Sequence, residues 1–136
     1  MPSPAAELRE AAALLRDTAT AAIHENRTTW STGNSLGSKS PVVVDHPEEP
    51  SVLIETYAAR LEAVNRYLAL LGPATGIALA DWLDAAAESY DATVIGAASV
   101  WSRSDEADER DAWVAKQTDR YALAVARQIL GTEPTT

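Results

Sequence analysis

Cysteine and phenylalanine are both absent from this chain. Without cysteine there can be no disulfide, no thiolate metal site and no cysteine nucleophile. A reducing cytoplasm suits such a chain, and a cytoplasmic location is the expectation. Aromatic residues make up only 6%, while hydrophobic residues reach 46%. That hydrophobic share leans on alanine, which favours helix and lets helices approach closely. No apolar run nears the ~20 residues that span a bilayer, so no membrane partner is expected. Met1-Pro2-Ser3-Pro4 lacks a basic stretch followed by an apolar one, so no signal peptide is expected.

Basic residues are also scarce: 11 Lys and Arg face 20 Asp and Glu, for a formal charge of −9. Residues 1–40 balance, with Glu7, Glu10, Asp17 and Glu25 against Arg9, Arg16, Arg27 and Lys39. The whole deficit therefore falls in residues 41–136. Phosphate backbones repel that sign, so direct nucleic-acid binding is disfavoured.

The chain is organised around Leu71-Gly72-Pro73. Gly72 can end one helix in a left-handed turn, and Pro73 can open the next at its first position. Upstream, Ser3-Pro4 can cap a first helix running to about Glu25, with Leu8, Ala12, Leu15, Ala19, Ala22 and Ile23 at helical spacing. Residues 26–56 then break the pattern, with a β insert expected at about 28–54. Val42-Val43-Val44 and Val52-Leu53-Ile54 are β-prone, as is Thr28-Thr29-Trp30-Ser31-Thr32, and two or three short strands forming a hairpin are expected.

A second helix is expected from about Glu55 to Leu71. Tyr57, Leu61, Val64, Leu68 and Leu71 share its buried face, with Tyr67 on the flank. Glu62 and Arg66 lie opposite as an i,i+4 pair. From Pro73 the stripe Leu79, Ala80, Leu83, Ala86, Ala87, Tyr90, Val94, Ala97, Ala98 and Trp101 keeps one phase. It predicts a single long helix to about Ser102, with Gly96 a candidate bend. The rival is a break near Asp91 and a strand at Thr93-Val94-Ile95. A last helix follows, capped by Ser104, with Ala107, Val114, Tyr121, Ala122, Val125 and Ile129 as its buried stripe. Gly131 and Pro134 end it, and residues 132–136 are expected to fray.

Catalytic patterns are hard to find. The two histidines, His24 and His46, match no ligand spacing, and a metal site would need them to meet each other, with Asp45 or Glu49 completing it. No Ser/His/Asp order is legible, and no Gly-Lys-Ser/Thr run follows Gly33 and Gly37. We therefore expect no enzyme, no metal and no cofactor.

The acidic residues are more informative. Asp81, Asp84, Glu88 and Asp91 stand at steps of three, four and three, which puts them on one helix face. No Lys or Arg occurs between Arg66 and Arg103 to neutralise them within the helix. A solvated face is the simplest reading; a basic partner or a carboxylate metal site are the alternatives. Asp105, Glu106, Asp108, Glu109 and Asp111 form a second cluster that suits a helix start. Trp113, Leu123 and Leu130 miss the stripe of the last helix. They mark a second apolar edge, either an interface, self-association included, or packing under the hairpin loop.

Three segments resemble a group of small uncharacterised proteins from actinobacteria and their phages. They are residues 72–88, with Ala78-Leu79-Ala80-Asp81-Trp82-Leu83-Asp84 at their centre, the ending Ala122-Leu123-Ala124-Val125-Ala126-Arg127-Gln128-Ile129-Leu130-Gly131, and the opening Ala6-Glu7-Leu8-Arg9-Glu10-Ala11-Ala12. Such proteins often place a tryptophan and short strands after the first helix, where this chain has Trp30 and Val42-Val43-Val44. The resemblance covers about half the chain, identifies no site, and implies a phage or prophage accessory protein.

The expected fold is mainly helical, a small bundle of about four helices with a short β-hairpin between helix 1 and helix 2. It forms one domain over residues 1–131 with a disordered tail. The expected function is a non-enzymatic cytoplasmic interaction or accessory protein, with an unknown protein or a second copy as partner. The alternative is an acidic nucleic-acid mimic that inhibits a host DNA- or RNA-processing enzyme. Its candidate partner surface comprises Asp81, Asp84, Glu88, Asp91, Trp113 and Leu123.

Overall fold

The computed structural model describes residues 2–34, 40–45, 52–55 and 61–132. It contains α1 (Pro4–Ala21), β1 (Ser31–Asn34), β2 (Pro41–Val44), β3 (Val52–Glu55), α2 (Leu61–Leu70), α3 (Pro73–Val100), a 3-10 turn (Ser104–Glu106), α4 (Ala107–Gln117) and α5 (Arg120–Leu130). The protein is thus mainly helical, with a small antiparallel sheet between its first two helices. The chain divides into two compact units, one of residues 1–15 and 79–136, the other of residues 16–78.

The first unit has an alanine-rich helical core. Ala5, Leu8, Ala11 and Ala12 of α1 repeat the spacing of Ala80, Leu83, Ala86 and Ala87 of α3, and Ala122, Leu123 and Ala126 of α5 join them in one cluster. Alanine removes little apolar area, so Leu8 and Leu83, both fully buried, carry much of the gain at roughly 1.5–3 kcal/mol each. The helix ends are chemically closed. Ser3 Oγ accepts the Ala6 N–H at 3.1 Å, as its capping position requires. Gly131, at φ 69°, ends α5 in the left-handed region, while the Thr132 N–H reaches the Arg127 carbonyl at 3.0 Å.

The expected single last helix is two. Thr118 leaves helical geometry, and the Asp119 carboxylate accepts the N–H groups of Tyr121 and Ala122, both at 3.0 Å, to start α5. Among the described residues five helices therefore replace the expected four. The phase also changes: Leu123 is buried in the core while Tyr121 is exposed. Ser104 lies in the 3-10 turn, where the Glu106 carboxylate accepts the Arg103 N–H at 3.3 Å. The long α3 forms without a strand at residues 93–95 and without interruption at Gly96.

The second unit holds the sheet, in order β1-β2-β3. Ser31 pairs with Val44 and Asn34 with Pro41; Val43 pairs with Ile54, and the register shifts between Val43 and Val44. The Val42-Val43-Val44 run is buried throughout, as suits a central strand. α2 packs on β2 and β1. It begins later than expected, since Glu55 belongs to β3, and Tyr57 lies outside the described residues. Its face is also rotated. Asn65 is the buried residue at 1% exposure, whereas Val64, Tyr67, Leu70 and Leu71 are exposed.

α1 ends four residues earlier than expected. Glu25 (φ 50°) and Asn26 (φ 62°) form a tight reversal, closed by the Arg27 N–H on the His24 carbonyl at 2.9 Å. Gly72 is not left-handed, Gly131 being the only glycine at positive φ among the described residues. Pro73 does open α3, and the Ala74 N–H, an unpaired donor in an isolated first turn, donates to the Thr28 carbonyl at 2.8 Å.

Candidate functional site

Three arrangements carry chemistry. The first is built on the His24–Arg27 reversal. Two successive left-handed residues turn the chain back so that His24 and Arg27 reach the same carboxylate, that of Asp45 just after β2. His24 Nδ1 lies 2.8 Å from Asp45 Oδ2, and Arg27 Nη1 donates to Oδ1 at 3.1 Å. The Asp45 side chain is fully enclosed, and a carboxylate stays ionised there only if it is paired. An ionised carboxylate only accepts, so His24 Nδ1 carries the proton and donates. The third member is a cation, which makes this a salt-bridged knot and not a metal ligand set. Among the described residues no three His, Asp or Glu side chains gather as a metal site. His46 and Glu49 lie outside those residues.

The second arrangement is a cavity of about 210 Å³, bounded by residues 32–34 of β1, residues 41 and 42 of β2, and Glu62, Asn65 and Arg66 of α2. Glu62 and Arg66 stand one turn apart, yet the i,i+4 ion pair expected of them is not formed. Neither has an ion-pair partner among the described residues.

The third is the distal end of α3. From Val94 to Val100 only Ala97 is buried; Ile95 is 72% and Val100 68% exposed, and Val94 is exposed as well. Next to it, the Trp101 and Trp113 rings pack at 5.5 Å between centroids, tilted by 45°. Trp113 thus leaves the polar side of α4 to meet the residue that follows α3.

The residues singled out from sequence separate on this structure. Asp81, Asp84, Glu88 and Asp91 do lie along α3, and the row is neutralised at Asp91. Arg9 of α1 forms an ion pair with Asp91, and Asp81 and Asp84 also have interaction partners. The charge that neutralises Asp91 comes from another helix and is not legible within α3 itself. Trp113 is part of the tryptophan pair. Leu123, taken as part of an exposed apolar edge, is instead a core residue at 8% exposure. The break at Thr118 re-phases α5 and turns Leu123 inward. The sequence offers Glu62 and Arg66 only as a helical i,i+4 pair and His24 with Asp45 only as members of a metal site; it shows neither the cavity nor the Asp45 knot.

No described helix is long and apolar enough to cross a membrane. No family model, curated protein or solved structure matches the chain.

Proposed function

We propose that this chain is a non-enzymatic cytoplasmic interaction protein, an accessory protein of phage or prophage type, and that it pairs with a second copy of itself through the distal end of α3. The observation that carries the reading is the conflict there between composition and exposure. Residues 92–102 contain no charged side chain. A helix segment this rich in apolar residues and free of charge is normally covered, yet of residues 94–100 only Ala97 is buried. In a chain of charge −9, such an uncharged segment is also where two copies meet with least repulsion. Gly96 and Ala98, both exposed, leave room for a second helix to approach, and a two-fold pairing uses the same patch on both copies. The phage-type origin rests on the resemblance of residues 6–12, 72–88 and 122–131.

The acidic-mimic reading has less support, because Asp91 already has a cationic partner in Arg9. Sedimentation velocity over a concentration series tests the proposal. The wild-type chain is expected to move from monomer to dimer. The double variant Ile95→Glu, Val100→Glu is expected to stay monomeric with an unchanged helical circular-dichroism spectrum. A wild-type chain that remains monomeric throughout would refute it.

A further inference from the structure

The cavity between the β1–β2 pair and α2 is independent of the α3 surface, and nothing above gives it a role. Its volume of about 210 Å³ equals that of about seven waters. That admits a small metabolite and is well below the space a nucleotide or drug-sized ligand fills, roughly 300–1,000 Å³. Three side chains set its chemistry. Arg66 brings a permanent cation with a planar fork suited to a carboxylate, and Glu62 brings an anion. Asn65, enclosed at 1% exposure, brings an amide that both donates and accepts.

The two charges are the telling feature. Glu62 precedes Arg66 by four residues, the favourable order for a helical ion pair, and yet they do not pair with each other or with another described residue. A simple anion would meet Arg66 but be repelled by Glu62. A simple cation would meet the reverse. A ligand carrying both charges a short distance apart satisfies the two together, with its carboxylate on Arg66 and its ammonium on Glu62.

We propose that this cavity binds a small zwitterion of the free α-amino-acid class. Charge complementarity fixes the ligand's direction, and the limited volume selects short side chains. Glycine, alanine and serine are of the right size.

Backbone amide chemical shifts of the full chain, titrated with alanine, test this. Saturable shifts are expected at residues 32–34, 42 and 62–66. Propionate and ethylamine, each with one of the two charges, should bind more weakly by about tenfold or more. Arg66→Gln and Glu62→Gln replace exposed side chains and should keep the fold, read from unchanged shifts elsewhere. Each should weaken alanine binding by roughly fivefold or more. No saturable shift at these amides with alanine, glycine or serine would overturn the proposal. So would propionate or ethylamine binding as tightly as alanine, or binding indifferent to both substitutions.

Discussion

Gly72 lies directly against Trp30. A Cβ at position 72 would stand 3.1 Å from the Trp30 backbone nitrogen and 3.2 Å from its Cγ. Glycine is therefore favoured here by space and not by a left-handed turn, since its φ is not positive. Backbone atoms yield less readily than the tip of a side chain, and Trp30 would have to give by a few tenths of an ångström. Gly72→Ala should destabilise the protein by about 1–3 kcal/mol, the usual cost of overpacking. The midpoint of urea unfolding checks this.

Gly96 is the opposite case. It sits inside α3, and an added Cβ would meet nothing within 4 Å. Alanine there should stabilise the helix by roughly 0.5–1 kcal/mol through lower backbone entropy in the unfolded chain. The gain should appear as a higher urea midpoint at protein concentrations low enough for the chain to be monomeric.

Asp45 holds the start of the second unit through His24 and Arg27. Asp45→Asn removes the charge and leaves Arg27 facing a neutral amide in a site with little water. The expected loss is roughly 2–4 kcal/mol, below the full cost of breaking a buried pair because about a fifth of the Arg27 side chain still meets solvent. Glu25 is the control. Its carboxylate stands 3.8 Å from Arg27 and its side chain is mostly exposed, so Glu25→Gln should change stability by less than about 0.5 kcal/mol. Parallel urea titrations of the two variants separate the cases.

Asp119 caps α5 with two hydrogen bonds to backbone N–H groups. Asp119→Ala should cost about 1 kcal/mol, within the ~0.5–2 kcal/mol range of lost caps. Amide exchange should quicken at Tyr121 and Ala122 before the rest of α5.

Much of the fold was legible because its signals are local. The apolar stripe from Leu79 to Trp101 keeps helical phase, and α3 follows it to Val100. The three valines at 42–44 read as a strand and form the centre of the sheet. Ser3-Pro4 and Gly131 act at their helix ends as their chemistry dictates.

The errors arose where distant residues decide. α1 stops short because His24 and Arg27 turn back to reach Asp45, which lies 21 and 18 residues away in sequence. α2 presents Asn65 inward and leaves Val64 and Leu71 outward, a choice periodicity alone cannot make. The stripe of the last helix runs on smoothly past Thr118 and hides the break. Asp119, an acceptor placed immediately before a helix-forming run, was the signal that could have revealed it. The cavity was illegible for a related reason: Glu62 and Arg66 read as a helical ion pair until the strands opposite them are in place.

The central claim is that the distal end of α3 is covered by a second copy of the chain. Amide hydrogen exchange of the wild-type protein at low and high concentration tests it residue by residue. Exchange at Val94 through Val100 should slow as concentration rises, while the amides of Val42, Val43 and Val44 in the sheet should not respond. Exchange at Val94 through Val100 that is the same at every concentration would contradict the account.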